Sequence, residues 1–532
     1  MSIQPAPYIT SSTGKESVLY AVEWGTYGRN YQIKDLPWDH VHTLSYAFFD
    51  IDSNGNVSTK DPWATYDNPL IGKSFDPQNT WSSPPQDLGN FGALRKAKAL
   101  GKKFNLQLAI GGWTYSKYFS DAVSTAANRQ NIVNSLKDIM TKWPNLFNGF
   151  SWDWEYLSDD GENYGLEGNV ARKEDPLNFI ELLKLIKATF PGWKNALCVG
   201  AAPEKTHIPL KQLDQYIDQW HIMTYDMAGA WDLKNTGFHA NPRKSRFGPW
   251  SAEAATDYYI SQGVPPKKIF IGGAMYSRGY QGITEIGQPA TGNSPDFQFQ
   301  EETGVVPYHM LPMPGATEYN DEESKAAYSV DVNKKIVNTY DNVTSIKEKI
   351  NMIWEKDLGG IIFWEAAGDV RDHSSPRSLM KATAENLTHK KGSVTPSPAP
   401  TPSPTPAPTP SPSPAPVPVP TPSPSPAPSP SPTTSYPCDF CSICRKSTNT
   451  PCKSRSTPTP SPAPAPTPSP TPSPSPAPAP APSNGIPEWV TEKEYKIGDK
   501  VSYKGVQYKC NIAHKSITVW APDQGSALWS KI

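Results

Sequence analysis

The sequence predicts an α/β protein: a (β/α)8 TIM barrel with an α+β insertion, followed by a small all-β module at the C-terminus. Three observations point there. Short, nearly all-apolar runs recur eight times, at 18–22, 41–48, 104–110, 147–153, 197–202, 220–225, 268–274 and 360–364. Amphipathic stretches lie between them, clearest at 126–142 and 176–189, where apolar residues return every three or four positions. Two proline-rich tracts then set residues 486–532 apart from everything before them.

Strands covered by helices on the outside read as continuous apolar runs, and eight such strand–helix repeats close into a barrel. An open doubly wound sheet would want a Gly-rich turn after its first strand, and none follows Val22. The repeats are evenly spaced except between the seventh and eighth strands. That interval, about 277–344, is too long for one helix and its loops. An inserted α+β lobe walling one side of the barrel mouth accounts for it. The catalytic barrel is therefore expected over 18–390, after an N-terminal tail at 1–17.

Residues 393–436 and 456–485 are almost pure Pro, Ser, Thr and Ala. They cannot bury a core, and they favour an extended spacer of ~3.1 Å per residue. Between them, at 437–455, lies an island holding Cys438, Cys441, Cys444 and Cys452. A four-thiolate zinc site would be cramped at this spacing, so two disulfides in an oxidising setting are favoured. Cys198 sits in an apolar run and reads as a buried free thiol.

Charge excludes one class of partner. The 50 Lys+Arg balance 51 Asp+Glu with no basic stripe, so nucleic acid is not expected. No run of 18 apolar residues exists to cross a membrane. Residues 1–17 lack the basic and apolar regions of a signal peptide. The linker style suits an extracellular enzyme, so an atypical route or release on lysis is expected. The 17 Trp and 24 Tyr serve either a large core or stacking on sugar rings, and composition does not choose between these.

The strongest chemical signal runs from Asn148 to Tyr156, NGFSWDWEY. Side chains alternate along a strand, so Ser151, Asp153 and Glu155 share one face and point into the barrel. Carboxylates among Phe147, Phe150, Trp152 and Trp154 are costly to bury unless they serve chemistry. An exposed acidic edge is the alternative, and those apolar neighbours argue against it. In barrel enzymes the active site lies at the C-terminal ends of the strands, where this motif falls.

This run resembles the signature of family 18 glycoside hydrolases, D-G-x-D-x-D-W-E. Ala109 to Ser116 (AIGGWTYS) resembles the family's third-strand motif, with Ala109 in place of Ser. Met223 to Asp226 (MTYD), Tyr276 to Arg278 (YSR) and Gly360 to Glu365 (GIIFWE) resemble its sixth-, seventh- and eighth-strand motifs. The likeness spans most of 18–385. It implies chitinase activity by a retaining route in which the substrate's own N-acetyl group attacks C1. Glu155 would be the proton donor, Asp153 would accept the acetamido N–H, and Tyr225 would bond the acetyl oxygen. Trp364 would floor the pocket, with Trp113, Met223, Asp226, Tyr276 and Arg278 lining it. No cofactor or metal is implied, and the partners would be chitin and chitooligosaccharides, bound by a monomer.

Two departures stand out: the family's first and second aspartates are Asn148 and Ser151 here. Ser151 can hydrogen-bond but cannot hold the charge its family counterpart shares with Asp153. Asp153 is therefore expected to ionise more readily, with a shifted pH profile. Asn148, earlier on the strand, is expected to be structural. A barrel lectin without activity would be the competing class, but such relatives typically lose the acid that Glu155 supplies. Cleavage of N-glycan cores is a further alternative.

The C-terminal pattern of Trp489, Tyr495, Val501, Tyr503, Gly505, Tyr508, Pro522 and Trp529 resembles family 5/12 carbohydrate-binding modules. Residues 501–508 read as a hairpin turning at Lys504-Gly505. Trp489 and Trp529 are expected in its core. Trp520, with Tyr503 second, is the expected chitin-stacking ring.

Overall fold

The structure, a computed structural model, describes residues 3–388 except 74, 203–206, 296–297 and 300–301, and residues 486–531 except 492, 511–513, 517–521 and 523–528. The linkers, the cysteine island and Trp520 lie outside the described residues. The chain divides into two compact units, one ending at Pro398 and the other beginning at Ala399.

In the first unit, eight parallel strands form a closed barrel. They are β1 (Glu16–Val22), β2 (Thr43–Ile51), β3 (Asn105–Gly111), β4 (Gly149–Asp153), β5 (Lys194–Gly200), β6 (Gln219–Met223), β7 (Ile269–Ala274) and β8 (Gly360–Trp364). Each pairs with the next in sequence, and β1 also pairs with β8, closing the ring. The registers fix which residues are level: Ala109 is beside Ser151, Gly111 beside Asp153, and Cys198 beside His221.

Strand alternation divides the apolar residues into two layers. Tyr20, Ala109, Cys198, Met223, Phe270 and Ile362 cluster inside the barrel with Trp364 and Tyr225 packed on them. The intervening residues, such as Leu108, Trp152, Leu197, Ile222, Ile271 and Phe363, join the larger core between strands and helices. The helix Asp175–Thr189 buries Phe179, Leu182, Leu183 and Ile186 on that outer face. The ring of Phe179 meets Trp152 edge-on. Much of the tryptophan content is therefore core.

Several boundaries moved. β6 ends at Met223, two residues short of the expected 225, so Tyr225 and Asp226 stand on the loop beyond it. The lobe between β7 and β8 is chiefly an antiparallel sheet built from Ser277–Gln281, Gly292–Asn293, Thr317–Asn320, Ala327–Asp331 and Ile336–Tyr340. A single helical turn at Tyr308–Met310 accompanies it, and the helix Val343–Glu355 leads on to β8. The residues ahead of β1 are packed rather than trailing. Ala6 N–H donates to the Phe147 carbonyl at 2.8 Å, and the Tyr8 hydroxyl donates to Glu16 at 2.7 Å.

In the second unit, Lys500–Tyr503, Val506–Cys510 and Trp529–Lys531 form a three-stranded antiparallel sheet. Lys504 and Gly505 both take positive φ at its turn (50° and 75°), the pairing that a two-residue hairpin of type I′ requires. Tyr495, Val501, Cys510 and Trp529 make the core, and Trp489 packs half-buried against it. Tyr503 is partly exposed, its ring 5.2 Å from that of Trp489.

Candidate active site

The ends of β3 and β4 meet at the barrel mouth. Gly111 has φ 104°, and a Cβ there would lie 2.2 Å from the Asp153 carbonyl oxygen. Gly112, at φ 80°, leaves room for the Phe48 ring, which a Cβ would meet at 2.5 Å. The two glycines let β3 turn away while staying in contact with β4. Ser116 then ties the turn down: its hydroxyl donates to the Gly112 carbonyl at 2.8 Å and accepts the Glu155 N–H at 2.8 Å.

Asp153 and Glu155 are both buried. Burial raises the Asp153 pKa, opposed by a hydrogen bond from the Cys198 thiol. Burial also drives the Glu155 pKa well up, and the Asp153 charge adds to it, with a smaller push from Asp226. Hydrogen bonds from Tyr156 and the Trp113 backbone act the other way. Two interacting carboxyls lose their protons in steps that belong to the pair, so the pair retains a proton above the ordinary carboxylate range.

Asp226, at φ 54°, behaves differently. Burial alone would raise its pKa, but the Arg278 guanidinium and His239 hold it far below the usual carboxylate range. Arg278 grips both Asp226 oxygens, at 2.7 and 2.9 Å, and Tyr276 hydrogen-bonds the same carboxylate. Tyr225 lies between the two acidic centres. The charges of Asp153, Glu155 and Asp226 all add to the burial that raises its phenol pKa.

Trp364 lies across the barrel interior, stacked on Phe48 at 5.4 Å and tilted against Tyr20 at 5.8 Å. Met223 is buried beside it in the same cluster. Trp113 is exposed at the rim, 6.5 Å from the Tyr156 ring. Trp231, also exposed, carries Arg278 over its face at 5.3 Å. The structure therefore brings the expected barrel residues to one mouth. Ser151 is the exception in direction. It is fully buried, and its hydroxyl contacts Tyr20 at 2.9 Å and Cys198 at 3.7 Å, below the mouth. Asn148 links β3 and β4 through the Leu106 N–H and the Asn105 side chain, both at 3.0 Å.

Sequence reasoning passed over three members of this site. Cys198 lies on β5 against Tyr20 and Ser151 and favours the charged form of Asp153, Tyr156 favours that of Glu155, and His239 stands 3.5 Å from Asp226. Only Tyr156 had a sequence signal, its adjacency to Glu155.

A closed (β/α)8 barrel with a buried carboxyl pair and aromatic rings at its C-terminal mouth has the architecture of a barrel enzyme, whose active site lies at that face. Residues 16–369 match the model of glycosyl hydrolases family 18, and the chain belongs to that family. Residues 488–530 match carbohydrate-binding module family 5/12. Endochitinase 1 of Metarhizium robertsii is 32% identical over 395 residues, covering 70% of this chain and 85% of that protein. Chitinase 1 of Aphanocladium album is 30% identical, covering 68% and 84%. Among solved structures, the catalytic domain of psychrophilic chitinase B from Arthrobacter TAD20 superposes with a TM-score of 0.62 at 27% identity, covering 72% and 97%.

Proposed function

We propose that this glycosyl hydrolase cleaves the β-1,4 linkages of chitin with retention, using the substrate's N-acetyl group as nucleophile. The observation that carries this is the Asp153–Glu155 pair: two buried carboxyls at the mouth, both with pKa values raised by burial. Glu155 donates its proton to the glycosidic oxygen and then, ionised, activates water. Asp153 Oδ1, buried without a hydrogen-bond partner, suits the acetamido N–H of a bound sugar. As that N–H is polarised, the acetyl oxygen of the same sugar attacks C1, an intramolecular step favoured by proximity. Tyr225 bonds that oxygen, Trp364 supports the ring, and Trp113, Met223, Tyr276 and the Asp226–Arg278 pair line the pocket.

The named relatives are chitinases, which supports chitin as the polymer. The C-terminal module, with Trp520 and Tyr503 as its stacking rings, would hold the enzyme on that surface. Residues 393–436 and 456–485 would act as spacers that raise the local concentration of catalytic sites there. Such a polymer lies outside the cytoplasm, in keeping with an extracellular enzyme. The test is the anomer first released from chitin oligomers, followed by proton NMR, with Glu155→Gln as control. Initial β-anomer supports the reading. Initial α-anomer, or undiminished turnover by Glu155→Gln, refutes it.

A further inference from the structure

A column of polar groups runs through the barrel from the segment ahead of β1 to the ring packed on Trp364, and its donors can be assigned in order. Glu16 and Gln219 are the first residues of β1 and β6, at the N-terminal face. The Tyr8 hydroxyl donates to Glu16 at 2.7 Å, so its oxygen is left to accept from Gln219 Nε2 at 3.3 Å. That contact sets the direction of the amide. Its Oε1 accepts from Gln107 Nε2 at 2.7 Å and from His221 Nε2 at 3.3 Å. His221 Nε2 therefore carries the proton, and Nδ1 is a bare acceptor. Burial keeps this histidine neutral, with its pKa pushed down to about 3. The Tyr20 hydroxyl, 3.1 Å from Nδ1, donates to it. The Tyr20 oxygen accepts from Ser151 at 2.9 Å and has the Cys198 sulfur at 3.0 Å. The Tyr20 ring is buried, tilted against Trp364 at 5.8 Å and against Phe48 at 6.3 Å.

We propose that His221 is a positioning residue for the reaction: as its Nε2–H tautomer it takes the Tyr20 hydroxyl on Nδ1 and so holds the Tyr20 ring against Trp364. Tyr8 selects that tautomer from the N-terminal face, through the Gln219 amide. This rests on the role given above to Trp364 as support for the sugar ring. β1 fixes one end of the Tyr20 side chain at Cβ. The hydroxyl, met by Ser151 from β4, Cys198 from β5 and His221 from β6, fixes the other end. Ser151 and Cys198 each have a proton of their own to place, whereas Nδ1 has none and can only accept. The direction of the Tyr20 O–H is therefore set by His221. With the opposite tautomer, Nδ1–H would donate to the Tyr20 oxygen and push the phenol proton onto Ser151 or Cys198. A buried donor that loses its acceptor is costly, so the phenol seeks another partner and its ring shifts under Trp364. Trp364 meets the sugar both before and during bond cleavage. A loosened floor therefore weakens ground state and transition state alike.

The test pairs nitrogen NMR of isotope-labelled histidine with steady-state kinetics, both on the full chain. With its signals assigned from the His221→Asn spectrum, the His221 ring should show a protonated Nε2 and a bare Nδ1. A protonated Nδ1 overturns the proposal. On a chromogenic chitin oligomer, His221→Leu should raise KM roughly 3- to 10-fold with kcat within about twofold, the pattern of lost uniform binding. His221→Asn places its Oδ1 where Nδ1 stood and should keep KM within about twofold of wild type. An asparagine variant as impaired as the leucine variant overturns the proposal. So does lower kcat at unchanged KM in both variants, the pattern of a merely structural histidine that leaves fewer active molecules. If His221→Leu does not fold, Tyr8→Phe decides from the N-terminal face. It frees the Gln219 amide, so an Nδ1–H signal should appear and KM should rise by about twofold or more. An unchanged spectrum or an unchanged KM overturns the proposal. Trp364→Ala is the separating control. A wild-type KM there refutes the role of Trp364 itself. A raised KM there, beside a wild-type KM in His221→Leu, overturns the proposal alone.

Discussion

Arg278 closes both prongs of its guanidinium on Asp226, Nε to Oδ1 at 2.7 Å and Nη2 to Oδ2 at 2.9 Å. One residue stands on the loop after β6 and the other on the first strand of the lobe, so this fork joins barrel and lobe at the mouth. Lysine brings a point charge and cannot reproduce the two parallel bonds. Arg278→Gln is therefore expected to release Asp226 toward an ordinary carboxylate pKa. Because the folded-state pKa is depressed, the stability it contributes is present above the unfolded value of about 3.9 and is lost as pH falls below it. Urea unfolding should show a deficit of ~1 kcal/mol at pH 7, discounted for partial exposure, that narrows at pH 3. An equal deficit at both values would refute it.

Tyr156 gives a second, purely kinetic expectation. Its hydrogen bond favours the charged form of Glu155. In Tyr156→Phe that support is gone, the Glu155 pKa rises further, and its carboxyl stays protonated to higher pH; with Glu155 as the proposed proton donor, the rate should follow. The basic limb of the pH–rate curve should move up by about one unit. A limb that moves down would contradict the contact.

Gly111→Ala should damage the fold and the site together. The new methyl would fall on the Asp153 carbonyl at 2.2 Å, in a backbone conformation that L side chains avoid. A cost of at least ~2–3 kcal/mol follows from strain and overpacking. A wild-type melting temperature would contradict this.

Away from the site, Lys349 and Asp341 form an ion pair at 2.6 Å with both side chains fully buried. Lys349 also donates to the Gly272 carbonyl on β7, at 2.7 Å. Lys349→Met leaves an uncompensated carboxylate and should cost about 3–5 kcal/mol, measured by urea unfolding. Adding Asp341→Asn should recover much of that loss, because no buried charge then remains unpaired. A double variant less stable than Lys349→Met would contradict this account.

The C-terminal module should matter only on insoluble substrate. Deleting residues 486–532 is expected to lower retention on chitin particles and turnover of them, and to leave cleavage of soluble oligomers unchanged. Trp520→Ala in the full chain should reproduce most of the loss, and Tyr503→Ala a smaller part. Equal losses on soluble and insoluble chitin would argue for a different role.

What could be read from sequence follows from what is local. Alternation along 147–153 and 360–364 is a property of single strands, so the barrel and the inward set of Ser151, Asp153 and Trp364 follow from it. The neighbours of Ser151 do not. Cys198 lies 47 residues on in an apolar run, and only the pairing of β5 with β4 brings its sulfur within 3.7 Å of that hydroxyl. Ser151 misled for the same reason: its face was correct, but its hydroxyl is engaged by Tyr20 from β1. Tyr156 escaped because alternation assigns it to the face opposite Glu155. The strand ends at Asp153, so alternation no longer applies at Tyr156.

The pairing of β1 with β8 has a consequence for synthesis. The floor of the barrel is completed by contacts between the first and last strands, including the Lys15 ammonium on the Leu358 carbonyl at 2.7 Å and the Glu16 N–H on Gly359 at 3.0 Å. On the ribosome β1 emerges first, yet its second neighbour is translated some 340 residues later. At ~5–20 residues per second, that edge waits roughly 20–70 s for its partner. An unpaired strand edge is a template for wrong pairing. The chain therefore carries a window of vulnerability set by elongation speed, and slower translation lengthens it.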